Sequence, residues 1–159
     1  MGDLAFNITK GRVGEFVVRI NANDPANSVL IWSLWNITQT DAQQRDFDDI
    51  AAIEAAGTNA ELTSGTNANY VRKTLTDASG ITRTVDDTND WVDVDCPDQT
   101  WTALVAGTAV NHAICAYDSD STTGADSALL PISQHAVTIT PDGSDVTIVM
   151  PAAGFYRSS

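Results

Sequence analysis

Three sets of residues have the types and spacing that chemistry requires. The run Tyr117–Asp126 (YDSDSTTGAD) places Asp118, Asp120 and Asp126 in one turn-rich segment. Such carboxylates could offer oxygens to Ca²⁺, which takes six to eight of them. The pattern departs from a calcium loop, because Gly124 falls one place late and no Glu follows at the twelfth position. A solvated strand connection is therefore expected there, with no metal and no cofactor; these three aspartates remain the candidate ligands. A second acidic set comprises Asp86, Asp87, Asp90, Asp93, Asp95 and Asp98. Paired carboxylates can act as acid and base when their surroundings separate their pKa values. Alternation in Trp91–Cys96 instead points Asp93 and Asp95 to solvent together, with Val92, Val94 and Cys96 on a dry face. Charges on an exposed edge also block edge-to-edge association.

The third set is His112 and His135. Neither lies in HExxH, and no Ser lies in GxSxG, so no catalytic residue is assigned and no enzyme is expected. Cys96 and Cys115 stand 19 apart without metal-ligand spacing. Cys115, inside AICAY, reads as a small buried hydrophobe, with a disulfide to Cys96 the lesser alternative. Trp32, Trp35, Trp91 and Trp101 read as core anchors before they read as a sugar-stacking platform.

The elements that must position these residues are mostly strands. Leu4–Thr9 and Arg12–Ile20 read as two strands broken at Lys10-Gly11, and residues 1–20 could instead form an N-terminal arm. Ser28–Ile37 (SVLIWSLWNI) is the most apolar run and is expected to be a strand buried on both faces. The period then changes: Thr40 and Gln43 form a capping box, and a single short helix is expected over about 41–56, closed by Gly57. Residues 57–69 (GTNAELTSGTNAN) are small and polar, which predicts an exposed loop suited to partner contact. From Tyr70 onward the chain reads strand after strand. Tyr70–Thr76 and Ile81–Asp86 form an expected hairpin around Gly80, followed by Trp91–Cys96, Thr100–Ala106 and Ala109–Tyr117. Ser127–Ile132 and Ala136–Thr140 then lead through Pro141-Asp142-Gly143 to Asp145–Met150 as the returning partner strand. The predicted fold class is mainly β, an antiparallel β-sandwich or barrel with that one helix, in a single domain over 1–159.

Composition sets limits on partners. The 159 residues carry 21 acids against 8 Lys and Arg, a formal net charge of −13. Residues 1–83 hold 10 acids and 7 bases, whereas residues 84–156 hold 11 acids and no Lys or Arg. Nucleic-acid binding draws its affinity from cations that displace phosphate counterions, so this half cannot supply it. Anionic membranes are repelled for the same reason. No apolar run approaches a membrane span, and the opening MGDLAFNITK has no basic n-region or apolar h-region. Neither nucleic acid nor membrane is expected as a partner.

One resemblance adds to this reading. Asn69–Thr76 (NYVRKTLT), Val85–Asp90 (VDDTND) and Asp98-Gln99-Thr100-Trp101 are followed by Ala116-Tyr117-Asp118 and Leu130-Pro131-Ile132. Thr140–Asp145 (TPDGSD) and Gly154-Phe155-Tyr156-Arg157 close the set. Over residues 69–157 the order of these pieces resembles small structural proteins of tailed bacteriophages. The resemblance implies a virion component without catalysis, made in the bacterial host cytoplasm. Within that class it implies a head decoration (cement) protein at the capsid surface, working as a homo-oligomer with major capsid protein as its partner. A tail-tube, head–tail joining or fibre-associated subunit is the first alternative, and a carbohydrate- or Ca²⁺-binding adhesion module the second.

Overall fold

A computed structural model describes residues 2–158. The chain is mainly β, 34% strand and 17% helix, with antiparallel sheets in a sandwich-like arrangement. Its first third runs β1 (Leu4–Ala5), α1 (Val13–Ala22), β2 (Val29–Asn36), α2 (Asp41–Gln44), α3 (Ile50–Ala55) and β3 (Ala60–Glu61). Then follow β4 (Lys73–Leu75), β5 (Thr82–Asp86), β6 (Trp91–Asp95), β7 (Gln99–Trp101) and β8 (Val110–Asp118). The chain ends with β9 (Leu130–Ile139), β10 (Val146–Ile148) and β11 (Tyr156–Ser158).

The main sheet has the order β1-β9-β8-β2-β3, with β4 on the same edge of β2 as β3. Every residue of β2 from Val29 to Trp35 is buried, as its unbroken apolar run requires. Leu30, Trp32 and Leu34 enter one core with α1, Val94, Trp101 and Phe155. Val29, Ile31, Trp35 and Ile37 enter a second core with Phe6, Ile50 and Ile53. The sheet is thus sandwiched between α2 and α3 on one face and, on the other, α1 with two small sheets. Those are β11-β6-β5 and β10-β7. Ser33 is tolerated inside β2 because its hydroxyl accepts the Trp35 indole N–H at 2.8 Å.

Several expectations are corrected. Arg12–Ile20 is not a strand but most of the longest helix, α1. Val13, Phe16, Val17 and Ile20 recur at i, i+3, i+4 and i+7 and are all buried, while Val18 is exposed. Asn23, in the left-handed region at φ 50°, closes it. Within residues 1–20, for which an arm is the alternative expectation, Leu4, Phe6, Phe16 and Ile20 lie in the two cores.

The helix expected over 41–56 is two short ones. The capping box at Thr40 and Gln43 is present, but the Arg45 carbonyl accepts the Asn7 N–H at 2.9 Å, drawing the chain out of the helix. Asp49 then caps α3, accepting the Ala52 N–H at 2.7 Å.

Strand pairing differs too. Lys73–Leu75 pairs with β2 and Thr82–Asp86 with β6, so they belong to different sheets and form no hairpin. Val146–Ile148 pairs with β7 instead of returning on β9, because the Pro141–Ser144 turn is bonded to Leu104. Ser127–Ile132 and Ala136–Thr140 merge into the one long strand β9.

The 57–69 segment is only partly exposed. Leu62 and Asn67 are buried, and the Asn67 amide holds both the Val105 carbonyl (2.7 Å) and the Val105 N–H (3.0 Å), as a neighbouring strand would.

Candidate functional site

The Pro141–Ser144 turn leaves a groove. β1 covers β9 only at Ser133 and Gln134, and Asp3 Oδ1 accepts the Ala136 N–H at 2.8 Å. Beyond that point the Val137–Ile139 edge of β9 has no strand beside it among the described residues. Alternation half-buries Val137 and Ile139 and exposes Thr138. Across the gap run Thr147–Pro151, and the space between is about 470 Å³. Its walls are Val137, Ile139, Ile148, Met150 and the exposed Val149, with Trp32 and Phe155 beneath. Gly154 makes this floor: at φ 84° it brings its backbone so close that a Cβ would lie 2.3 Å from the Val94 carbonyl oxygen. The Phe155 N–H then donates to that oxygen at 3.0 Å, and the Phe155 ring meets Trp32 edge-on at 5.1 Å.

His135 stands at one end of the groove. Its Nε2 is 2.9 Å from Ser133 Oγ and its Nδ1 3.8 Å from an Asp3 carboxylate oxygen. This Ser, His and Asp come together with no local pattern to mark them, since Asp3 lies 132 residues from His135. Burial lowers the His135 pKa and outweighs the opposing pull of Asp3, so the imidazole is neutral at pH 7. The arrangement is poorly suited to attack on a carbonyl. Ser133 is 2% exposed, which denies a substrate access, and 3.8 Å is too long for the hydrogen bond that orients a catalytic imidazole. The set instead joins the middle of β9 to the segment just before β1.

The anticipated residues are dispersed. Asp118 Oδ1 accepts the Asp120 N–H at 2.9 Å, and Asp120 accepts the Thr122 N–H and hydroxyl, as carboxylates in local turns do. Asp126 faces Arg72. The three do not converge, and among the described residues no three His, Cys, Asp or Glu are grouped to hold a metal.

In the second acidic set, Asp86 accepts the Thr88 and Asn89 N–H groups, and Asp98 accepts the Met150 N–H. Asp93 does not simply face solvent: its carboxylate binds Arg157, which holds its pKa below the ordinary 3.8. The Arg157 guanidinium also lies 3.9 Å over the Trp91 ring, so this tryptophan is a half-buried platform while Trp32, Trp35 and Trp101 are core. His112 is buried with Nδ1 2.7 Å from Asn111 Oδ1. Cys96 and Cys115 are free and buried. Burial raises both thiol pKa values, that of Cys96 to about 12, so neither is a nucleophile at neutral pH.

One polar cluster had no sequence signal. Arg72 binds Glu61 and, at 2.5 and 2.9 Å, both oxygens of Asp126. Tyr70 donates to Glu61 at 2.8 Å and accepts the Leu34 N–H at 3.0 Å. Burial alone would lower the Arg72 pKa, but the two carboxylates outweigh it and raise it. Burial and the Glu61 charge raise that of Tyr70. The cluster ties the 57–69 segment and the Asp118–Asp126 connection to β2.

Fold and groove together define a mainly β, antiparallel protein with an apolar trough beside an uncovered strand edge. No protein-family model, curated protein or solved structure matches the chain.

Proposed function

We propose that this chain is a structural component of a tailed-phage virion that acts by lying against another protein, without cofactor or bond-making step. Its place is the outer surface of the head, where copies bind the lattice of major capsid protein and stabilise it. The resemblance over residues 69–157 supports the virion assignment. Docking rests on the groove, whose walls are the apolar side chains Val137, Ile139, Ile148, Val149 and Met150. Such a surface suits contact with another protein. The cation-free stretch 84–156 suits a protein on the outside of a shell packed with DNA.

A stable docked interface buries on the order of 1,600 Å². The groove supplies part of it, and neighbouring copies on a symmetric lattice can supply the rest. Purified protein mixed with undecorated capsids should co-sediment with them and raise their melting temperature. If it does neither, decoration is wrong. Copy number per particle separates the other virion parts, since a lattice takes hundreds and a joining ring about a dozen.

A further inference from the structure

We propose that the groove between β9 and β10 receives an extended segment of the partner protein, apolar at alternate positions and flanked by Lys or Arg. The segment adds to the free Val137–Ile139 edge as a strand. This rests on the docking reading above and names the surface and the kind of chain that fills it.

Three observations carry it. Among the described residues the edge of β9 beyond Ala136 has no neighbouring strand, and an uncovered edge presents backbone donors and acceptors to an incoming chain. Beside that edge half-buried apolar side chains are laid out in strand period: Val137 and Ile139 face inward with Thr138 outward, opposite Ile148 and Met150. An added strand would place every second side chain between these walls.

Charge selects the occupant. Asp3 lines the groove, Asp98 is bonded to Met150 on its wall, and Asp142 and Asp145 lie in the turn joining its two sides. Residues 84–156 contain no Lys or Arg to offset them. A second copy would bring its own acidic rim and a net charge of −13, so self-pairing through this edge is disfavoured. A segment carrying cations at its ends meets complementary charge.

The test uses the whole chain and two synthetic peptides, each alternating valine and threonine over five residues, one flanked by paired lysines and the other by paired glutamates. Amide hydrogen exchange is read with peptide in millimolar excess. The lysine-flanked peptide should slow exchange in Val137–Ile139 and Thr147–Met150 by about tenfold or more, and salt should weaken the effect. Protection should fall in Val149→Lys, a change at an exposed position that leaves the core intact, and in Thr138→Pro, which obstructs the edge. Melting curves establish that both variants fold. No protection at these segments, or equal protection by both peptides, overturns the proposal.

Undecorated capsids separate this from the docking reading. If wild-type protein and Val149→Lys co-sediment equally well, the groove is not the docking surface although docking stands. If the peptide protects the groove while the wild-type protein ignores capsids, decoration falls and the strand-accepting groove survives.

Discussion

Phe16 of α1 stacks on Tyr117 of β8, with ring centroids 4.3 Å apart and planes 9° from parallel. The contact fastens the helix to the central sheet in a single rotational setting, and α1 in turn supports the sheet β5-β6-β11. Aromatic pairs of this kind contribute about 0.5–1.5 kcal/mol beyond their buried area.

The setting of α1 makes a paired prediction. Phe16→Ala, at a fully enclosed site, should cost about 3–5 kcal/mol in denaturant unfolding. Val18→Glu, two residues on and on the exposed face, should stay within about 0.5 kcal/mol of wild type. Were residues 12–20 a strand with Phe16 and Val18 on one face, the two substitutions would be comparably damaging.

Removing the Arg72 charge strands two carboxylates. Arg72→Met should destabilise the fold by about 2–4 kcal/mol, because the nearly buried Glu61 loses its cation. Adding Glu61→Gln to that variant should restore a large share of the loss, since an amide can stay buried without a counter-charge. Chemical denaturation of the two variants beside the wild type gives the comparison.

The buried imidazoles set a pH dependence. Burial lowers the His112 and His135 pKa values from the ordinary 6.5. Below pH 6.5 the unfolded chain takes up protons that the folded chain refuses, so stability falls as pH falls and is flat above that value. Melting temperature should therefore drop between pH 7.5 and pH 5.5, less steeply in His135→Gln. Carboxylates such as Asp93, with pKa below 3.8, act in the same direction only at still lower pH. A midpoint that rises on acidification through 6.5 would contradict the burial of these rings.

Ser133 offers a direct test of the non-catalytic reading. A fluorophosphonate ester, which labels serines activated by histidine, should leave the native protein unmodified. Under the docking proposal, Ser133→Ala should leave co-sedimentation with capsids unchanged. Stoichiometric labelling at Ser133 would overturn the assignment.

What the sequence discloses here follows from which interactions are local. The burial of β2, the enclosure of Cys115 and the Thr40 capping box each depend on a few adjacent residues, and all are present, whereas of the expected dry face Val94 and Cys96 are buried and Val92 only half-buried. Residues 12–20 satisfied two periods at once. Phe16, Val18 and Ile20 alternate, while Val13, Phe16, Val17 and Ile20 follow a helical turn, and only tertiary contact decides between them. Strand pairing departs from sequence order where the nearest strand in sequence is not the partner, as for β4 and β10. The groove, the Ser133–His135–Asp3 contact and the Arg72 cluster join residues from distant parts of the chain, and no local pattern announces them.

The double-sided character of β2 has a bearing on register. In a strand with one wet face, a slip by one residue exposes oil and buries polarity, so hydration alone forbids it. Here both walls are oily, and shifting Val29–Asn36 by one place would exchange one set of large apolar side chains for another. What keeps the strand in place is shape: Trp32 and Trp35 fit opposite cores, and neither cavity is cut for the other's neighbours. Alignment of this sheet is therefore governed by steric fit, and variants that trim either indole should loosen the registry before they unfold the molecule.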